Sequence, residues 1–301
     1  MSHFEHLICP VCQRPLLQNS KSLICLAGHN FDIAGKSYVN LLLSRDKNSK
    51  DPGDNKEMAK ARKRFLDRGY YESLSRGLSE VLIKNASIKE AGTFKSAASK
   101  SVALNGAASK NGPVILDAGC GDGYYTDYIQ RTIKDKLPGS SCVLYGMDIS
   151  KEAIRLASGR NKEIGFIVAS LFKLPFKSNQ ADYVINAFAP ACDPEFGRVL
   201  KKGGTLITVI PGRKHLFELK SVLYENPYEN DEKGPDLPSF RSEGQVRIKS
   251  VIKIDSAADL SDLLTMTPYY WRTPKEGIDR FRKLKSLETT TEFVIGIHSK
   301  L

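Results

Sequence analysis

Four side chains able to hold a soft metal stand at Cys9, Cys12, Cys25 and His29, spaced C-x2-C, twelve residues, then C-x3-H. Three thiolates and one imidazole close a tetrahedral zinc shell with no open position, so the expected role is structural and not catalytic. The flanks offer turns at Pro15, Asn19 to Ser22 and Gly28, and few apolar groups beyond Leu23, Ile24 and Phe31. Such a segment is too small to fold without metal. Redox chemistry and free thiols are the alternatives that the spacing leaves open.

A second constellation runs Val114-Ile115-Leu116-Asp117-Ala118-Gly119-Cys120-Gly121-Asp122-Gly123-Tyr124-Tyr125. An apolar run ends in an acid and three alternating glycines, the way a buried strand opens through a tight loop onto a ligand and a helix. The pattern is G-x-G-x-G, with a carboxylate before the loop, where a pyrophosphate would meet a fixed negative charge. A cationic ligand fits better, and S-adenosylmethionine carries an ammonium and a sulfonium and no phosphate. Asp148 ends the next apolar run, Val143-Leu144-Tyr145-Gly146-Met147, where a doubly wound sheet presents an acid to a ribose. The bland alternative is that Asp117 and Asp148 merely begin turns.

These residues need a parallel sheet to position them, and the sequence supplies its alternation. Helix is expected from Ser150 to Arg160, strand at Phe166 to Ala169, strand at Asp182 to Phe188, a short helix from Glu195 to Lys201 and strand from Thr205 to Ile210. Ser170 and Leu171, and Asn186 to Pro190, then face the same crevice as the glycine loop, because ligands sit at the carboxyl ends of such strands. Pro227 to Gly244 reads as a mobile loop, Gln245 to Ile254 as a strand, Ala257 to Leu264 as a helix and Thr290 to Ser299 as the last strand. Upstream, Asp54 is expected to cap a helix with Glu57 at its third position. That helix carries Lys56, Lys60, Arg62, Lys63 and Arg64 on more than one face, so RNA phosphates are its expected contacts; a solvated surface helix is the alternative. A second helix is expected from Ser73 to about Ile88. The expected organisation is a zinc-binding domain at 1–43, basic linker and helices at 44–92, a flexible insertion at 93–112, and an α/β domain at 113–301.

Over 301 residues the net charge is +11, a balance that favours nucleic acid or an anionic surface as partner. No apolar run reaches the length of a membrane span, and no signal-peptide pattern is present, so a cytoplasmic protein is expected, with no membrane partner. The remaining cysteines, Cys120, Cys142 and Cys192, are scattered through core-like segments, which suits a reducing compartment.

The chain resembles the 23S rRNA guanine-N1 methyltransferases, the large-subunit methyltransferase A family. The resemblance rests on the Cys and His set, Tyr38-Val39-Asn40-Leu41-Leu42, Asp51-Pro52-Gly53-Asp54, the glycine loop, Met266-Thr267-Pro268, and Trp271-Arg272. It implies a class I S-adenosylmethionine-dependent methyltransferase fold, Rossmann-like with a seven-stranded sheet, behind a small N-terminal zinc ribbon. It also implies 23S rRNA as substrate, S-adenosylmethionine and zinc as cofactors, a homodimer, and Tyr71 and His215 beside the glycine loop at the cofactor. One branch of that family gives macrolide resistance, a property to test. The chain departs from the family at Lys201-Lys202-Gly203-Gly204, where Lys-Pro-Gly-Gly is usual. A small-molecule methyltransferase and a catalytically inactive zinc-ribbon RNA-binding protein are the rival readings. No residue in the sequence identifies itself as the base that takes the guanine N1 proton.

Overall fold

The computed structural model describes residues 4–46, 53–93, 112–139 and 142–301, with the side chains of 86–93 left aside. Residues 94–111 of the expected insertion lie outside these, as do Asp51 and Pro52.

Strands β1 (Leu16–Asn19), β2 (Ser22–Cys25) and β3 (Asn30–Asp32) form a small antiparallel sheet that carries the ribbon. The large sheet is built on five parallel strands: β5 (Val114–Ala118), β6 (Val143–Asp148), β7 (Gly165–Val168), β8 (Ala181–Ala187) and β9 (Leu200–Pro211). Near-continuous burial along β5 to β8 is what a sheet covered on both faces requires. Strands β10 (Phe240–Ile254) and β11 (Leu287–Lys300) complete it antiparallel, in the order β10-β11-β9-β8-β5-β6-β7. These are the seven expected strands. An eighth, β4 (Tyr38–Asn40), extends the sheet parallel to β7, and the Leu41 amide prolongs the pairing by donating to the Val168 carbonyl at 2.9 Å. The segment counted with the ribbon thus ends inside the large sheet, because Tyr38 and Val39 bury their side chains there.

Helices cover one face. They are α1 (Lys56–Asp67), α2 (Glu72–Thr93), α3 (Tyr124–Lys136), α4 (Lys151–Ala157), α6 (Phe217–Leu223), α7 (Ala257–Thr265), α8 (Tyr269–Arg272) and α9 (Lys275–Arg282), packed on Ile115, Ile185, Ile207 and Ile295. On the other face α5 (Asp193–Val199) shares its cover with the ribbon: Phe4, Leu7, Leu16 and Leu23 join one core with Leu116, Tyr145, Met147 and Phe176. Main-chain bonds seal that join, the Ile8 amide donating to Pro175 and the Lys177 amide to His6, both at 3.0 Å.

Several boundaries differ from expectation for local reasons. Helix α1 is capped by Asn55, whose Oδ1 accepts from the Glu57 and Met58 amides at 3.0 and 2.9 Å, while Asp54 turns to Arg62. Strand β10 starts at Phe240, inside the expected loop, and tolerates the early start through an irregularity between Ser242 and Gly244. The stretch before it is anchored, since the Lys220 ammonium donates to the Tyr228 carbonyl at 2.9 Å and to Asn230 Oδ1 at 2.7 Å. No described helix is long and apolar enough to cross a membrane.

Candidate functional site

The crevice opens where the parallel strands end. After β5, Gly119 adopts a φ of 94°, and its amide and that of Cys120 both donate to the Met147 carbonyl at 2.8 Å, locking the loop to the end of β6. A Cβ at Gly119 would lie 2.5 Å from that of Ala189, so only glycine admits the post-β8 segment this closely. Asp148 Oδ2 accepts the Gly121 amide at 3.0 Å, and its Oδ1 accepts the Ser150 amide at 2.8 Å. Burial raises its carboxyl above the usual range, against these two amides. The result is a cavity of about 610 Å³ bordered by the glycine loop, Asp148, the post-β8 segment, the 211–216 turn and the entry to α8, a size that suits a nucleoside cofactor with part of a second substrate.

The structure brings together Tyr71, Gly119, Cys120, Gly121, Asp148, Ser170, Leu171 and His215, all of which border this cavity. Asp117 and Gly123 do not. Asp117 is buried beneath the loop, where its Oδ2 accepts from the Thr126 hydroxyl at 2.6 Å, and burial pushes its carboxyl up to about 7. Asp117, expected at the cofactor, thus stands outside the cavity wall, because its β5 side chain points to the helix-covered face. Gly123 is the left-handed start of α3, where a Cβ would fall 2.8 Å from that of Ala157.

His215 sits behind Tyr71. Its Nδ1 accepts the Glu292 amide at 3.2 Å, so the ring proton is on Nε2, 3.3 Å from the Tyr71 hydroxyl oxygen. Burial, helped by Lys220, brings His215 down to about 3, and the ring is neutral. Sequence reasoning missed Gly53, Asp54, Tyr269 and Arg272 as bordering residues. Their motifs were visible, but a turn or a four-residue helix has no periodicity from which its place over a sheet can be read.

At the ribbon, the ligand atoms of Cys9, Cys12, Cys25 and His29 all lie within 4.8 Å of one another. The closer pairs are Cys12 Sγ to Cys25 Sγ at 3.5 Å, Cys9 Sγ to His29 Nδ1 at 3.5 Å and Cys25 Sγ to the same nitrogen at 3.3 Å. A tetrahedral zinc with its usual bond lengths spaces its ligands by roughly 3.3–3.8 Å, so the donor set fits. Burial pushes the Cys25 thiol up, yet the Ala27 and His29 amides with the Cys12 and His29 side chains bring it down to about 6, towards the thiolate a metal needs.

The basic helix divides its charges. Arg62 donates to Asp54 Oδ2 at 2.9 Å and to the Met266 carbonyl at 3.1 Å, and it borders the cavity. Arg64 forks onto Asp262 of α7 at 2.9 and 2.6 Å, and Lys63 pairs with Asp67. Lys56 is exposed and Lys60 half-buried, with no carboxylate at ion-pair distance among the described residues.

The strand order, the glycine loop fastened to β6 and the half-buried acid at the end of that strand define a class I methyltransferase, which uses S-adenosylmethionine. The general methyltransferase-domain model matches residues 115–204, and the model described as RlmA, N-terminal, a zinc ribbon, matches residues 7–50. The 23S rRNA (guanine(748)-N(1))-methyltransferase of Streptomyces fradiae is 31% identical over 293 residues, 95% of this chain and 94% of its own. The Bacillus subtilis protein YxjB, which bears a 23S rRNA (guanine-N(1)-)-methyltransferase name, is 30% identical over 305 residues, 99% of this chain and 98% of its own. The chain belongs to the family of 23S rRNA guanine-N1 methyltransferases.

Proposed function

We propose that this protein transfers a methyl group from S-adenosylmethionine to N1 of a guanine in a 23S rRNA hairpin. The observation that carries the reading is a nucleoside-sized crevice beneath the glycine loop in a chain whose full-length relatives bear that activity in their names. When bound, S-adenosylmethionine supplies an electrophilic methyl on a sulfonium, so the chain's task is alignment. Asp148 takes the ribose hydroxyls. Gly119, Cys120 and Gly121 let the backbone approach the sulfonium side, Ser170 and Leu171 border the base, and Tyr71 backed by His215 closes the end.

Cys9, Cys12, Cys25 and His29 hold one structural zinc. Lys56 and Lys60, with Lys63 after release from Asp67, meet RNA phosphates, whereas Arg62 and Arg64 hold α1 in place. N1 lies on the Watson-Crick edge, so the target guanine comes from a loop or is turned out of its stack. The proposed setting is the cytoplasm, where the rRNA is. The proposed assembly is a homodimer, for which edge strand β10 offers exposed Val246 and Val251.

Incubation with labelled S-adenosylmethionine and unmodified 23S rRNA, followed by nucleoside separation, tests the reading, with label expected in 1-methylguanosine. Label in N2-methylguanosine, or in a small metabolite and no RNA, overturns it, and no S-adenosylmethionine binding at all would mark a catalytically inactive RNA-binding protein. Light scattering tests the dimer.

A further inference from the structure

Methylation at guanine N1 poses an electrostatic problem that the cofactor side of the crevice does not solve. N1 of neutral guanine carries a proton, and as that proton leaves, negative charge spreads onto O6. Either a base must take the proton or a positive group must stabilise the oxygen. The cavity wall beyond Phe188 offers no base. All three acids among the bordering residues, Asp54, Asp122 and Asp148, sit with the β5 and β6 ends, and His215 has both ring nitrogens engaged.

Among the described residues that border the cavity, two are cationic, Arg62 and Arg272. Arg62 is committed to Asp54 and to the Met266 carbonyl. Arg272 is exposed at the end of α8, and no described carboxylate stands at ion-pair distance from it. Its backbone is nonetheless well placed. The Arg62 bond to Met266 fixes the entry to α8, Thr273 closes the helix by donating its hydroxyl to the Tyr269 carbonyl at 2.8 Å, and the Tyr269 ring is buried against the cavity. The Arg272 charge is felt at Tyr228, another bordering residue, where it opposes the upward push of burial. Phe188, with a φ of 58° and 41% of the residue exposed, supplies an aromatic face on the same cavity.

We propose that Arg272 is a catalytic residue: its guanidinium donates to O6 of the target guanine and stabilises the charge that develops there. The assignment rests on the guanine-N1 reading given above. A guanidinium fork matches the O6 and N7 edge of guanine, the pairing by which arginine most often reads this base. In the step, N1 forms its bond to the methyl carbon, the carbon–sulfur bond breaks with its electron pair remaining on sulfur, and the N1 proton passes to solvent water. Arg272 keeps its own protons throughout.

Single-turnover methylation of unmodified 23S rRNA by the full chain, followed from pH 6.5 to 9.5, tests this with wild type, Arg272→Gln and Arg272→Lys. Arg272→Gln is expected to lower the rate at neutral pH by about 10²–10³-fold, the loss typical of one oxyanion donor. S-adenosylmethionine affinity should be unchanged. The deficit should shrink as pH rises and guanine N1 ionises unaided, and Arg272→Lys should recover part of the rate. A loss equal in both variants and constant with pH would assign Arg272 a structural role and overturn the proposal. A fall in RNA affinity with a flattened salt dependence and an unchanged rate would make it a phosphate anchor and would overturn the proposal equally. Absence of 1-methylguanosine from the wild-type reaction would instead remove the functional reading itself.

Discussion

Asp117 and Asp148 end neighbouring paired strands and look alike in the sequence, yet only Asp148 borders the cavity. The difference is one of facing: alternation along β5 puts Asp117 with Ile115 on the helix side, where Thr126 meets it, and no spacing rule reveals what waits there. A carboxyl with a pKa higher folded than unfolded binds its proton more tightly in the native state. Stability therefore falls as pH rises from about 4, the unfolded value, to about 7, the folded one. Asp117→Asn keeps an acceptor for Thr126 and loses the charge. It should flatten that pH dependence and stabilise the protein at pH 8 by up to about 4 kcal/mol in thermal melts. Asp148→Asn should instead weaken S-adenosylmethionine binding in calorimetry by roughly tenfold to a hundredfold, the worth of charge-assisted hydrogen bonds. Equal losses of affinity in the two variants would contradict the division of roles.

Helix α1 shows what a sequence does and does not reveal about an element. Its existence was legible from the charged run and a capping signal, but its orientation was not, because basic residues lie all round it. Burial of Ala59, Ala61, Phe65 and Leu66 sets the inner face, and Arg64 then reaches α7, far away in sequence. The parallel strands were legible because strand and helix alternate. Helices α8 and α9, of 4 and 8 residues, were too short to show a period. Two outcomes follow for α1. Arg64→Ala should cost only about 1 kcal/mol, since the arginine is half exposed and screened, and should leave rRNA binding intact. Lys56→Glu with Lys60→Glu should weaken rRNA binding and flatten log affinity against log salt by about one unit per lost contact, as filter binding over a salt series would record. An unchanged slope in the double variant would remove α1 from the RNA surface.

At the scale of the whole molecule, the ribbon is part of the cover of the large sheet. Leu7, Leu16 and Leu23 share a core with Tyr145 and Phe176, and His6 Nδ1 lies 2.9 Å from the Tyr145 hydroxyl. Removing zinc should therefore do more than unravel the ribbon. Chelated protein, or Cys12→Ser with Cys25→Ser, should lose its one zinc by elemental analysis and unfold at lower temperature in a single transition that includes the methyltransferase sheet. An unchanged melting temperature of that sheet after metal loss would show the two to be energetically separate. The expected organisation into successive segments hid this coupling, since a three-residue strand such as β4 carries no signal of a distant partner. That pairing also bears on synthesis at the ribosome. Tyr38–Asn40 must wait for Gly165–Val168 to emerge roughly 125 residues later, about 10 s at ordinary translation rates. During that interval the nascent ribbon, even if already loaded with metal, displays Leu7, Leu16, Val39 and Leu41 without their cover. The N-terminal segment thus has use for a holding chaperone until the sheet emerges.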